Sequence, residues 1–179
     1  MHPFPLLPYP IPACVALLVI VTASTDIVSR RIPNLIILGG LVAALLVQVW
    51  SRGPLAGSVT WLAGALTGFA LLLPFYLLRG MAAGDVKLLM MVGAWVGALM
   101  TLQIALATFV IGGIWSLAVV ARRRRVGHLF ANLHYLMASP PRRSRGSAVD
   151  AAPLESVGSL PYGVAIAAGT LGVLYATIA

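Results

Sequence analysis

Four acidic side chains occur in 179 residues, and their surroundings sort them into two pairs. Asp150 and Glu155 lie in a polar stretch rich in Ser, Pro and Gly, where solvation is the ordinary role of a carboxylate. Asp26 and Asp85 each stand at the edge of a long apolar run, where an unpaired charge is expensive and an ionisable residue is a candidate for function. Two carboxylates at one depth can share a proton and a water. One ionised group then deprotonates the water while its protonated partner polarises a scissile carbonyl. The other reactive residue types make no such set. Cys14 is the one cysteine and lies in an apolar run, which leaves no internal disulfide framework, Cys-rich zinc ribbon or CxxC redox site. His2, His128 and His134 are scattered and form no metal-ligand pattern, so no metal or organic cofactor is implied.

The elements that must position the two aspartates are membrane spans. The chain is 60% hydrophobic and 9% charged, whereas a soluble domain carries about 25% charge. Apolar runs cover residues 11–27, 35–50, 55–78, 86–99, 102–120 and 161–179. A turn near Met100 separates the fourth from the fifth, because residues 86–121 carry no charge beyond Lys87 and exceed one crossing of about 20 residues. The predicted fold is therefore all-α, a polytopic bundle of about six transmembrane helices forming one membrane-embedded domain over residues 1–179. The opening run lacks the basic start of a secretory signal peptide, and its first positive charges, Arg30 and Arg31, follow it.

The formal net charge of +8 fits this topology better than a nucleic-acid partner, because the basic residues cluster between spans. If the first span ends in the cytoplasm, Arg30, Arg31, Arg79, Lys87, Arg122 to Arg125, Arg142, Arg143 and Arg145 all fall inside, and Arg52 alone falls outside. Both termini are then extracytoplasmic, and residues 122–160 form a basic cytoplasmic loop beside anionic inner-leaflet lipid. Within that loop residues 126–138 have helical apolar spacing suited to lying on the inner leaflet, and the rest has turn-forming composition. Asp26 closes the first span and Asp85 opens the fourth. The two spans between them carry the chain out and back, so both carboxylates face the cytoplasmic side.

Each of these residues also has a purely structural reading. Asp85 suits a helix N-cap, Asp26 can pair with Arg30 four residues on, and Asn34 suits a cap where Pro33 ends any preceding helix. Lys87 and Arg79 read as interface anchors with snorkelling stems. Gly64 with Gly68, and Gly93 with Gly97, put small residues on one helix face and imply close packing.

The wording around the aspartates narrows the choice. TDIVSRRIPN, residues 25–34, and GMAAGDVKLL, residues 80–89, resemble the type IV prepilin peptidases, bacterial members of the GxGD membrane aspartic proteases. The tail LPYGVAIA, residues 160–167, is similar to that family's last span. The resemblance implies a leader peptidase of the prokaryotic cytoplasmic (inner) membrane, with Asp26 and Asp85 as catalytic pair and Gly84, Lys87, Arg30, Pro33 and Asn34 in support. Its substrate would be a prepilin or pilin-like protein, cut at the cytoplasmic membrane face. One position departs from the pattern: Ala82 stands where GxGD has its first glycine, which would compromise any need for positive φ there. The single cysteine and the start at the peptidase core resemble the short form of Flp (Tad) pilus systems, for which no methyltransferase activity is expected. The competing reading is a small transporter or proton-coupled channel subunit using the same two acids. The position of the acids at span edges and the lack of an internal repeat weigh against it. An inactive scaffold subunit is the third reading.

Overall fold

The computed structural model describes residues 10–29, 32–78, 80–122 and 162–178. They form six helices: α1 (Ile11–Ser29), α2 (Asn34–Arg52), α3 (Pro54–Leu77), α4 (Ala83–Val96), α5 (Ala98–Arg122) and α6 (Tyr162–Ile178). No strand occurs among the described residues. Four helices, α1, α2, α3 and α5, are long and apolar enough to cross a membrane, and α6 is a shorter apolar helix. Arg30, Arg79 and residues 123–160, with the surface helix and basic loop read from the sequence, lie outside the described residues.

By internal contacts the chain divides into two units, residues 1–112 with 161–179 and residues 113–160. The first holds α1 to α4, α6 and α5 as far as Gly112. In the second, the described part is the remainder of α5.

Backbone chemistry ends the helices where the sequence supplies breakers. Pro33, with φ −61° and ψ 127°, precedes α2 and accepts the Ile36 amide at 3.1 Å. Gly53, at φ 83°, is the single residue between α2 and α3, and Pro54 opens α3 with its ring pre-set for helix. At the far end of α3 the Gly80 amide donates to the Phe75 carbonyl at 2.9 Å, a bond that closes helix C-termini.

The fourth and fifth helices part at Gly97, three residues before the predicted turn near Met100, and Met100 is buried inside α5. The apolar run continues without change through Gly-Ala-Leu-Met, so periodicity could not place the break. The positive φ of Gly97, 82°, makes it. Gln48 of α2 secures the end thus created: its Nε2 donates to the Trp95 carbonyl at 2.8 Å, satisfying one of the carbonyls that a helix end leaves without a partner.

Contacts fix the helix directions in the first unit. The Trp61 indole N–H donates to the Leu41 carbonyl at 2.9 Å and Gly57 lies against Gln48, so α2 and α3 are antiparallel. Gly64 lies against Gly93, and Gly68 against Leu89, so α3 and α4 are antiparallel too. A Cβ on Gly64 would overlap the Gly93 carbonyl oxygen, and a Cβ on Gly93 would overlap that of Gly64. Lipid tails give helices no hydrophobic reason to associate, so this approach of two backbones supplies the dispersion contact that holds the pair. Gly112 against Tyr162, and Gly169 against Thr108, set α5 and α6 antiparallel. Large apolar side chains such as Leu17, Leu35, Leu46 and Leu55 point outward. Buried Thr101, Thr108 and Thr170 return their hydroxyl protons to carbonyls four residues back, which leaves those groups satisfied within the helix.

Candidate active site

Asp26 reaches the interior through the periodicity of α1. Its buried residues are Ile11, Val15, Val19, Thr22 and Asp26, a stripe at spacings of four and three that turns one face inward. The last member of the stripe is the carboxylate, one turn before the helix ends at Ser29. Asp85 arrives differently. It lies in the first turn of α4, a helix in which Val86, Leu88, Leu89 and every residue from Met91 to Val96 are buried. The two aspartates retain 8% and 5% of their accessible surface, and the Asp26 carboxylate lies close enough to Asp85 to act on it electrostatically. They meet at the end of the bundle where α1 finishes and α2, α4 and α6 begin.

Two local expectations are corrected. Asp85 is not the N-cap of α4: Ala82 holds that position in extended conformation, and Asp85 is the third helical residue, its amide donating to the Ala82 carbonyl at 3.2 Å. The helix starts earlier than the apolar run because Ala83 and Gly84 are already helical. Asn34 is not a cap either, since Pro33 takes that place and Asn34 is the first residue of α2. Its side-chain Oδ1 instead accepts a hydrogen bond from Lys87 Nζ at 3.0 Å, so Lys87 ties α4 to α2. Arg30, the possible partner of Asp26, lies outside the described residues.

The departure at position 82 carries no backbone penalty. Ala82 has φ −79° and ψ 150°, which any L-residue adopts, so glycine is not required there for a left-handed turn. Gly84 is helical, and a Cβ on it would meet Ile32 at 3.6 Å, an ordinary contact.

A further residue at the site comes from α6. Gly163 is buried against Asp26, with the position of its missing Cβ 2.6 Å from Asp26 Oδ2. The tail motif that contains Gly163 was the only signal in the sequence, and nothing in its spacing indicated which residue it would touch.

Comparison with known proteins adds one finding. The profile of the type IV leader peptidase family matches residues 13–117. No curated protein matches the chain, and no solved structure does. The matched segment covers more than half of the chain and carries both Asp26 and Asp85. With its several long apolar helices, this multi-pass membrane protein belongs to the type IV leader peptidase family.

Proposed function

We propose that the protein is a membrane aspartic endopeptidase that removes the leader from prepilins or pilin-like proteins, with Asp26 and Asp85 as its catalytic pair. The observation that carries this reading is the meeting of two buried carboxylates from helices far apart in sequence. One carboxylate takes a proton from water as the water oxygen attacks the scissile carbonyl. The protonated partner donates a hydrogen bond to the carbonyl oxygen, and collapse of the tetrahedral species passes a proton to the leaving amine. Gly84, Lys87, Pro33 and Asn34 act by fixing the starts of α2 and α4 around the pair, with Arg30 as a further neighbour in the sequence.

In this reading the chain crosses the cytoplasmic membrane six times with both termini outside, as one peptidase domain with a basic cytoplasmic loop at residues 122–160. The carboxylates then face the side on which a leader emerges from its apolar helix, and the basic loop rests on anionic lipid. Family membership favours a peptidase over a transporter built on the same acids. Coexpression with prepilins encoded near its gene tests the proposal by the mobility shift of leader removal. Asp26→Asn and Asp85→Asn should each abolish the shift at normal expression and insertion, because neither carboxylate alone fills both roles. Full cleavage by either variant would refute the pair.

A further inference from the structure

Gly163 gives up helix stability without a backbone reason. It is the second residue of α6, and among the described glycines the positive-φ positions are Gly53 and Gly97, so its conformation is open to alanine. Alanine in a helix is more stable than glycine. The reason for glycine is space. A Cβ here would stand 2.6 Å from Asp26 Oδ2, 3.1 Å from its Cγ and 3.3 Å from its Cβ, so three of the aspartate's own atoms line the gap. The other glycines of α6 differ: Gly169 faces Thr108 of α5, and Gly172 has open space around it.

We infer that Gly163 is a positioning residue of the site: the bare first turn of α6 leaves the room in which the Asp26 carboxylate turns toward Asp85. The backbone of Asp26 is fixed by the buried stripe of α1, so an added methyl group can be accommodated only by rotating the carboxylate away or by moving α6. Either response misaligns the pair, and a displacement of about 1 Å at reacting groups costs on the order of 100-fold in rate. The family profile ends at residue 117 and does not reach this helix. The inference rests on the two-aspartate reading and extends it to a third helix.

The test uses the full-length enzyme in proteoliposomes, cleaving a prepilin encoded near its gene. Gly163→Ala should lower kcat on the order of 100-fold with KM within about threefold. It should also move the pH–rate profile, since the titratable group facing Asp26 from α4 is Asp85 and the change alters their separation. Gly169→Ala introduces a clash in the same helix against Thr108 of α5, its backbone included, without touching Asp26, and Gly172→Ala introduces none. Gly172→Ala should keep the wild-type profile and rate per folded molecule, and Gly169→Ala should keep the wild-type pH profile and lose less rate per folded molecule than Gly163→Ala. Unchanged rate and profile in Gly163→Ala, or losses equal to those of Gly169→Ala per folded molecule, would overturn the inference. If Gly163→Ala does not fold, thermal unfolding beside Asp26→Ala decides. Recovered folding in the double variant supports the contact, and equal loss with and without the aspartate side chain refutes it. Asp26→Asn in the same assay separates the two levels. Cleavage by Asp26→Asn removes the catalytic pair itself, whereas its inactivity beside a normal Gly163→Ala removes the positioning role alone.

Discussion

Lys87 Nζ stands 3.0 Å from Asn34 Oδ1, which ties the second turn of α4 to the first residue of α2. Lys87 lies two residues after Asp85, so the bond holds the backbone that carries the second carboxylate. Both side chains are exposed, and the bond is worth roughly 1 kcal/mol. Asn34→Ala and Lys87→Ala should each lower the melting temperature by a few degrees and slow cleavage, and the double variant should cost little more than either alone. Additive losses would show that the two side chains act separately.

The glycines of the α3–α4 crossing should be intolerant of size. Gly64→Leu and Gly93→Leu each drive a side chain into the facing backbone and should destabilise the protein by about 1–3 kcal/mol or more. Gly39→Leu, which meets nothing within 4 Å, is the control and should leave the melting temperature unchanged. Thermal melts in detergent read the difference directly.

Ala82→Gly restores the family's first glycine but relieves no strain, because Ala82 is already in an extended conformation. Cleavage should stay within about threefold of wild type, with stability equal or slightly lower from the extra freedom of the unfolded chain. A large gain in activity would mean that the glycine serves substrate passage and not backbone geometry.

Reporter fusions along the chain check the orientation drawn from the distribution of Arg and Lys. Fusions after Ser29, Leu78 and Arg122 should report cytoplasm, and those after Arg52 and Ala179 should report the outside. A cytoplasmic C-terminus would contradict the six-span count.

Asp150→Asn and Glu155→Gln should leave leader removal unchanged, because those acids stand in a sequence stretch of polar, Ser-, Pro- and Gly-rich composition. Loss of cleavage in either, at normal expression, would place a loop carboxylate in the mechanism.

Much of this arrangement could be read before any coordinates, for physical reasons that differ from element to element. Four helices, α1, α2, α3 and α6, follow the apolar runs within two residues at each end because lipid demands continuous hydrophobicity, and Pro33 and the Gly53-Pro54 pair mark boundaries through chain stereochemistry. Counting crossings predicts that Asp26 and Asp85 lie on one side at similar depth, and their approach to one another needed the packing of the bundle. The start of α4 was misplaced because Ala83 and Gly84 look like loop when hydrophobicity alone is followed. The Gly97 break was misplaced because one dihedral angle leaves no mark on an apolar pattern. The Asn34–Lys87 bond, the hold of Gln48 on Trp95 and the fit of Gly163 against Asp26 join residues that only the assembled bundle brings together.

The shortness of α4 bears on how the enzyme comes into being. Fourteen residues rise about 21 Å, less than the roughly 30 Å of hydrocarbon a membrane presents, and two of the fourteen are Asp85 and Lys87. Charged residues of this kind oppose insertion of an isolated segment, so α4 is a poor passenger on its own. Its nearly complete burial then requires α2 and α3 to be in place to receive it. Asp85 is therefore carried into the interior by the helices that pack around α4. A chain in which α2 and α3 have not yet received that helix does not hold the two carboxylates together.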